Sequence, residues 1–166
     1  ARFDVLLDIH LMVNNPVDFI DKILPLKPEY IVFHIETTST PIRLLRYIED
    51  AGLKGGIALN PATLVENCKW VLPYTDQILL MSVEPGFAGQ TFMPHTYEKI
   101  KMLDNMRRTY GYKYKIGIDG GTTFENGPLC VKYGADLIIA GTTSIFDPNF
   151  DLGQTFKKFQ NACQNK

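Results

Sequence analysis

Several features that mark common protein classes are scarce or missing in this sequence. No apolar run approaches the length of a membrane-spanning helix, so an integral membrane protein of the helical kind is not expected. Cys68, Cys130 and Cys163 stand far apart and form no C-x-x-C pair. That spacing disfavours structural zinc and a disulfide framework, and predicts reduced thiols in a cytoplasmic protein. The formal charge of −1 leaves no basic excess for a general nucleic-acid binder. No Gly-x-Gly-x-x-Gly follows the first apolar run, which disfavours a dinucleotide-binding fold. The glycine-bearing stretch "SVEPGFAGQTFMP" (82–94) resembles a phosphate cradle but lacks the Gly-Lys-Ser/Thr ending of a nucleotide loop.

What is present is ordinary globular composition: 166 residues, 45% apolar and 21% charged. This predicts one domain spanning 1–166 with a substantial core. Six β-like runs recur, at 7–13, 30–34, 56–60, 77–82, 114–119 and 136–140. Between them lie helical signals at 16–24, 42–51, 94–110 and 124–133, with a last helix expected at 150–163. Asn15 is a candidate N-cap ahead of Pro16, and Gly52 and Gly134 supply stops. Only 61–72 looks broken, a short helix or two turns. Strict alternation of strand and helix implies right-handed βαβ units and a parallel sheet.

Polar residues collect where these runs finish: His10, His34, Asn60, Ser82, Asp119 and Gly141-Thr142. Alternation along a strand puts Asp8, His10 and Met12 on one face, and Lys115, Gly117 and Asp119 on one face. Chemistry at the C-terminal end of every successive parallel strand is the habit of a (β/α)8 barrel. At roughly 27 residues per unit, eight units need somewhat over 200 residues, so this chain has room for about six.

The motifs "LDIHLMV" (7–13), "YIVFHIE" (30–36), "ALNPAT" (58–63), "MSVEPGFAGQTFMP" (81–94), "IDGGTT" (118–123) and "AGTTSIF" (140–146) resemble, in order, the ribulose-phosphate 3-epimerase family. The allulose-6-phosphate 3-epimerases are similar to nearly the same degree. The resemblance implies an α/β fold of the TIM-barrel kind with its first two βα units missing. It implies inversion at C3 of a ketose phosphate (D-ribulose 5-phosphate to D-xylulose 5-phosphate) by proton transfer through an enediolate. A divalent metal is implied too, zinc foremost, with iron, manganese or cobalt as alternatives. Carried over by position, His10 and Asp119 match metal ligands, and Asp119 also matches one of two acid–base aspartates. Gly86, Phe87, Ala88 and Gly89 match a phosphate loop, to which Gly120, Gly121, Gly141 and Thr142 add further contacts. His10 also counts among the substrate contacts, while Met12 and Met81 line the site.

The departure is at the start. The family's first strand carries a serine, and its second a His-x-Asp that supplies two metal ligands and the other catalytic carboxylate. No such unit precedes Leu7, so about 50 more residues are expected upstream and activity of this chain alone is doubtful. The alternatives are a non-catalytic sugar-phosphate-binding relative, or a homo-oligomer in which another chain supplies the missing strands. Neither nucleic acid nor membrane is an expected partner. His34 reads as a hydrogen-bonded structural histidine and Lys115 as structural. Asn60 is a candidate supporting group, and His95, Lys99 and Lys101 belong to a solvated helix face.

Overall fold

The computed structural model describes residues 5–146, 149 and 151–164. Six strands run in chain order, β1 (Asp8–Leu11), β2 (Tyr30–His34), β3 (Lys54–Leu59), β4 (Gln77–Met81), β5 (Lys115–Asp119) and β6 (Leu137–Ile138). Each is parallel to the next, giving the sheet order β1-β2-β3-β4-β5-β6. The helices are α1 (Val17–Ile23), α2 (Pro41–Asp50), α3 (Thr96–Tyr110), α4 (Asn126–Tyr133) and α5 (Leu152–Gln164). The result is a six-stranded half-barrel of the expected α/β type. The expected start of the last helix at Phe150, and the N-terminal residues 1–4, lie outside the described residues.

Two apolar populations hold the sheet. Facing the helices, Ile31, Phe33, Ile57, Leu59, Ile78, Leu80, Ile116 and Ile118 pack with Leu44, Leu45 and Ile48 of α2 and Ile100 and Leu103 of α3. The opposite, concave face holds a small separate cluster of Tyr30, Val32, Ala58 and Leu79. Strands apolar on both faces are what a covered parallel sheet demands. Gly55 allows α2 to lie close: a Cβ there would sit 2.8 Å from a Leu45 methyl.

Away from the strand ends, Arg107 of α3 fastens the barrel floor. Its guanidinium donates to Asp104 and Asp136 and to the carbonyl of Gly134. Residues 61–72 form no α-helix; two 3-10 turns, Val65–Cys68 and Leu72–Tyr74, cover that strand junction. Two local expectations change. Pro16, not Asn15, is the N-cap of α1, and Asn15 instead donates through its side-chain amide to Asp18. Lys99 is buried on the inner stripe of α3, donating to the carbonyls of Asn60 and Thr63 at 2.9 and 2.7 Å. Burial disfavours its charged form and lowers its pKa.

Candidate functional site

The strands deliver Asp119 and the loops that follow them to one cavity of about 390 Å³. It opens at the C-terminal ends of β4, β5 and β6. Met12, Met81, Gly86, Phe87, Ala88, Gly89, Asp119, Gly120, Gly121, Gly141 and Thr142 all line it. Of the residues matched to the family's site, His10 is not in its wall, and neither is Asn60, the candidate supporting group. His10 lies directly behind, with Nδ1 3.6 Å from Asp119 Oδ2. The sequence signals missed several contributors, among them Glu84, Gln90, Thr143 and Phe146.

The loops that form the wall are braced from within. Gln90 donates its side-chain amide to the carbonyls of Glu84 and Phe87, closing the 84–90 turn on itself. Ser82, fully buried, donates its hydroxyl to the carbonyls of Asp119 and Gly120, locking β4 to the turn after β5. Thr122 and Thr143 donate to the carbonyls of Ile139 and Thr122, tying that turn to the one after β6. The backbone N–H groups of Gly86, Phe87, Ala88, Gly89, Gly120, Gly121 and Thr142 take no acceptor among the described residues. Gly141 is different, for its N–H goes to Ser144 Oγ at 3.0 Å. Free amides at adjoining turns make an anion-binding concavity without any lysine.

The glycines divide by cause. Gly86, Gly89, Gly120 and Gly121 all hold positive φ, which L-residues with a Cβ adopt only at a cost. At Gly121 an added Cβ would also meet backbone atoms of Gln90 and Phe92 at 2.7 Å. Gly141 lies outside the left-handed region and would meet nothing within 4 Å. Neither backbone conformation nor a close neighbour requires a glycine there, and the residue lines the cavity.

On the other flank the groups are side chains. His10 Nε2 and His34 Nε2 are 2.8 Å apart. Beyond them, His34 Nδ1 lies 3.5 Å from Glu36 Oε2. The second carboxylate oxygen of Glu36 accepts from the Asn60 N–H at 2.8 Å and from the Thr63 hydroxyl. Burial alone would raise the Glu36 pKa; the His34 imidazole beside it and hydrogen bonds from Thr63 and the Asn60 amide outweigh it and bring it to about 2.

Do these donors suit a divalent ion? The 3.6 Å between His10 Nδ1 and Asp119 Oδ2 is too long for a hydrogen bond. It is close to the edge of a tetrahedron with bonds of about 2.1 Å, which is about 3.4 Å. Among the described residues, however, no group of three His, Cys, Asp or Glu side chains is placed to hold a metal. The two residues fit one edge of a coordination sphere and do not close it.

Comparison with known proteins decides the lineage. The family model described as "Ribulose-phosphate 3 epimerase family" matches residues 1–146. The chain belongs to the ribulose-phosphate 3-epimerase family. Within it, the ribulose-phosphate 3-epimerase of Treponema pallidum is 39% identical over 135 residues, covering 81% of this chain and 62% of that protein. The ribulose-phosphate 3-epimerase of Methanocaldococcus jannaschii is 40% identical over 156 residues, covering 94% of this chain and 65% of that one. This chain thus spans less than two thirds of the length of these relatives. Among solved structures, phosphoribosyl anthranilate isomerase from Thermococcus kodakaraensis superposes with a TM-score of 0.67 at 14% identity, covering 98% of this chain and 76% of that one. At that identity the likeness speaks for the fold alone. No helix of the described residues is long and apolar enough to cross a membrane.

Proposed function

We propose that this protein inverts C3 of a ketose phosphate, interconverting D-ribulose 5-phosphate and D-xylulose 5-phosphate. The observation that carries this reading is the meeting of Asp119 with the unpaired amides of three successive βα turns in one cavity. The phosphate belongs on those amides, at the mouths of β4, β5 and β6. That anchors the sugar so that C3 lies within reach of the Asp119 carboxylate, which takes or returns the C3 proton on one face. A C–H beside a carbonyl is a poor acid, and fixed donors near the developing oxyanion lower the barrier to the enediolate. A divalent ion held in part by His10 and Asp119 would supply Lewis-acid stabilisation of that oxyanion; zinc, iron, manganese and cobalt all suit such ligands. Met12 and Met81 give the sugar a soft apolar wall. Inversion takes a second acid–base group on the opposite face, and we assign it to the two βα units that the family pattern places ahead of β1. The names carried by the relatives favour the five-carbon substrate over allulose 6-phosphate.

The test is C3 deuterium incorporation into ribulose 5-phosphate in D2O, followed by NMR with and without added zinc. Asp119→Asn is expected to lower exchange by about 10³-fold while inorganic phosphate still binds. Exchange that survives this substitution would sink the assignment. Phosphate binding by the wild-type chain with no exchange under any metal would favour instead a non-catalytic sugar-phosphate binder. The two-donor metal edge is the observation on that reading's side.

A further inference from the structure

The pair His34–Glu36 has no part in the cavity wall, yet it touches the site through His10. Two neutral imidazole nitrogens at 2.8 Å must share one proton: two lone pairs would repel, and two N–H groups would collide. The ring planes are within 22° and their centroids 4.9 Å apart. That is near the roughly 5 Å spanned by two imidazoles joined edge to edge through an N–H···N bond. Two arrangements satisfy this. Either His10 donates to His34 and keeps Nδ1 bare, or His34 donates to His10 and His10 carries its proton on Nδ1.

The surroundings choose between them. His34 is only 4% exposed, whereas His10 is 14% exposed and its second nitrogen faces Asp119 of the cavity wall. If His34 Nδ1 were bare, its lone pair would face the Glu36 carboxylate at 3.5 Å, a buried acceptor set against a negative charge. Glu36 cannot turn away, because its other oxygen is held by Asn60 and Thr63 of the turn after β3. That turn is itself clamped by Lys99 from α3.

We propose that Glu36 and His34 are positioning residues that fix the tautomer of His10. Glu36 holds the proton on His34 Nδ1, His34 Nε2 accepts from His10 Nε2–H, and His10 presents a bare Nδ1 lone pair beside Asp119. This deepens the reading of His10 as a donor atom of the site: a bare Nδ1 next to a carboxylate can accept a cation or a substrate hydroxyl proton, whereas an Nδ1–H cannot. A histidine ligand oriented through its other ring nitrogen is a general device; here the orienting carboxylate acts one imidazole further back.

The test reads protonation directly, by 15N-edited NMR of the histidine side chains in the metal-free, substrate-free full-length protein at neutral pH. Wild type is expected to show His10 protonated on Nε2 and bare on Nδ1, and His34 protonated on Nδ1. Glu36→Gln should invert the relay. Its carbonyl oxygen stays on the Asn60 and Thr63 donors, so its NH2 group faces His34 Nδ1 and forces the proton onto His34 Nε2 and His10 Nδ1. Thr63→Val removes one of the two donors to Glu36 but leaves the carboxylate and the Asn60 N–H in place, and should leave the His10 tautomer as in wild type. A wild-type His10 protonated on Nδ1, or a His10 tautomer unchanged by Glu36→Gln, would overturn the proposal. The readout needs neither metal nor substrate, so a negative C3-exchange assay leaves it standing. Conversely, a wrong tautomer leaves the exchange assay free to succeed.

Discussion

The two flanks of the strand-end rim are built from different material. Around β4, β5 and β6 the wall is backbone: unpaired amides shaped by glycines and braced by Gln90, Ser82 and the threonines. Toward β1 and β2 it is a file of side chains, His10, His34 and Glu36, which meets Asp119 of β5 at its inner end, each in reach of the next. A backbone cradle suits a tetrahedral dianion that needs many weak donors and little selectivity among side chains. A side-chain file suits a site where one lone pair must point one way. Substitutions should therefore act on the first flank through conformation and on the second through protonation.

Substitutions can break or sharpen that contrast, beginning with the largest expected effect on stability. Gly121→Ala combines a left-handed φ of +58° with backbone contacts at 2.7 Å. It should destabilise the fold by about 2–4 kcal/mol in urea unfolding. Gly141→Ala tests the opposite cause. With no strain and no neighbour within 4 Å, its stability should stay within about 0.5 kcal/mol of wild type. Phosphate affinity should nevertheless fall about tenfold by calorimetry, roughly 1.4 kcal/mol. Equal loss of stability in both variants would erase the distinction between folding glycines and ligand glycines.

On the side-chain flank, Glu36 has a folded-state pKa of about 2 against an ordinary 4.5. A carboxylate with a depressed pKa contributes stability that is fully present above its unfolded value and lost as pH falls through the folded one. Stability should therefore drop progressively between pH 4.5 and pH 2, and Glu36→Gln should flatten that part of the acid-unfolding curve. An acid limb identical in wild type and Glu36→Gln would mean the carboxylate is not held as the geometry shows.

Much of this was legible before the fold was known. Alternation along the strands put His10 and Asp119 on the concave face, and the run of polar strand ends identified the rim. Other residues were misread for a physical reason. Lys99 looks like solvated helix surface by type, although its spacing from Thr96, Ile100 and Leu103 places it on the buried stripe. Its charge is tolerated because two carbonyls, from residues 39 and 36 positions away, accept its protons. His34 was legible as a hydrogen-bonded histidine but not as the partner of His10, which lies 24 residues away in sequence. Glu36 gave no signal beyond standing two residues after a strand-end histidine.

The sequence by itself determined the βα alternation, the lineage, the inward phase of each strand and the glycine-bearing junctions after β4, β5 and β6. These follow from local rules, the two-residue repeat of a strand and the φ preferences of single residues. Only the tertiary structure decided which amides remain unpaired, that Gly141 meets neither backbone strain nor a close neighbour, and that Glu36 stands behind His34 and His10. Those are matters of which groups from separate βα units come within hydrogen-bond distance, and no local pattern encodes that distance.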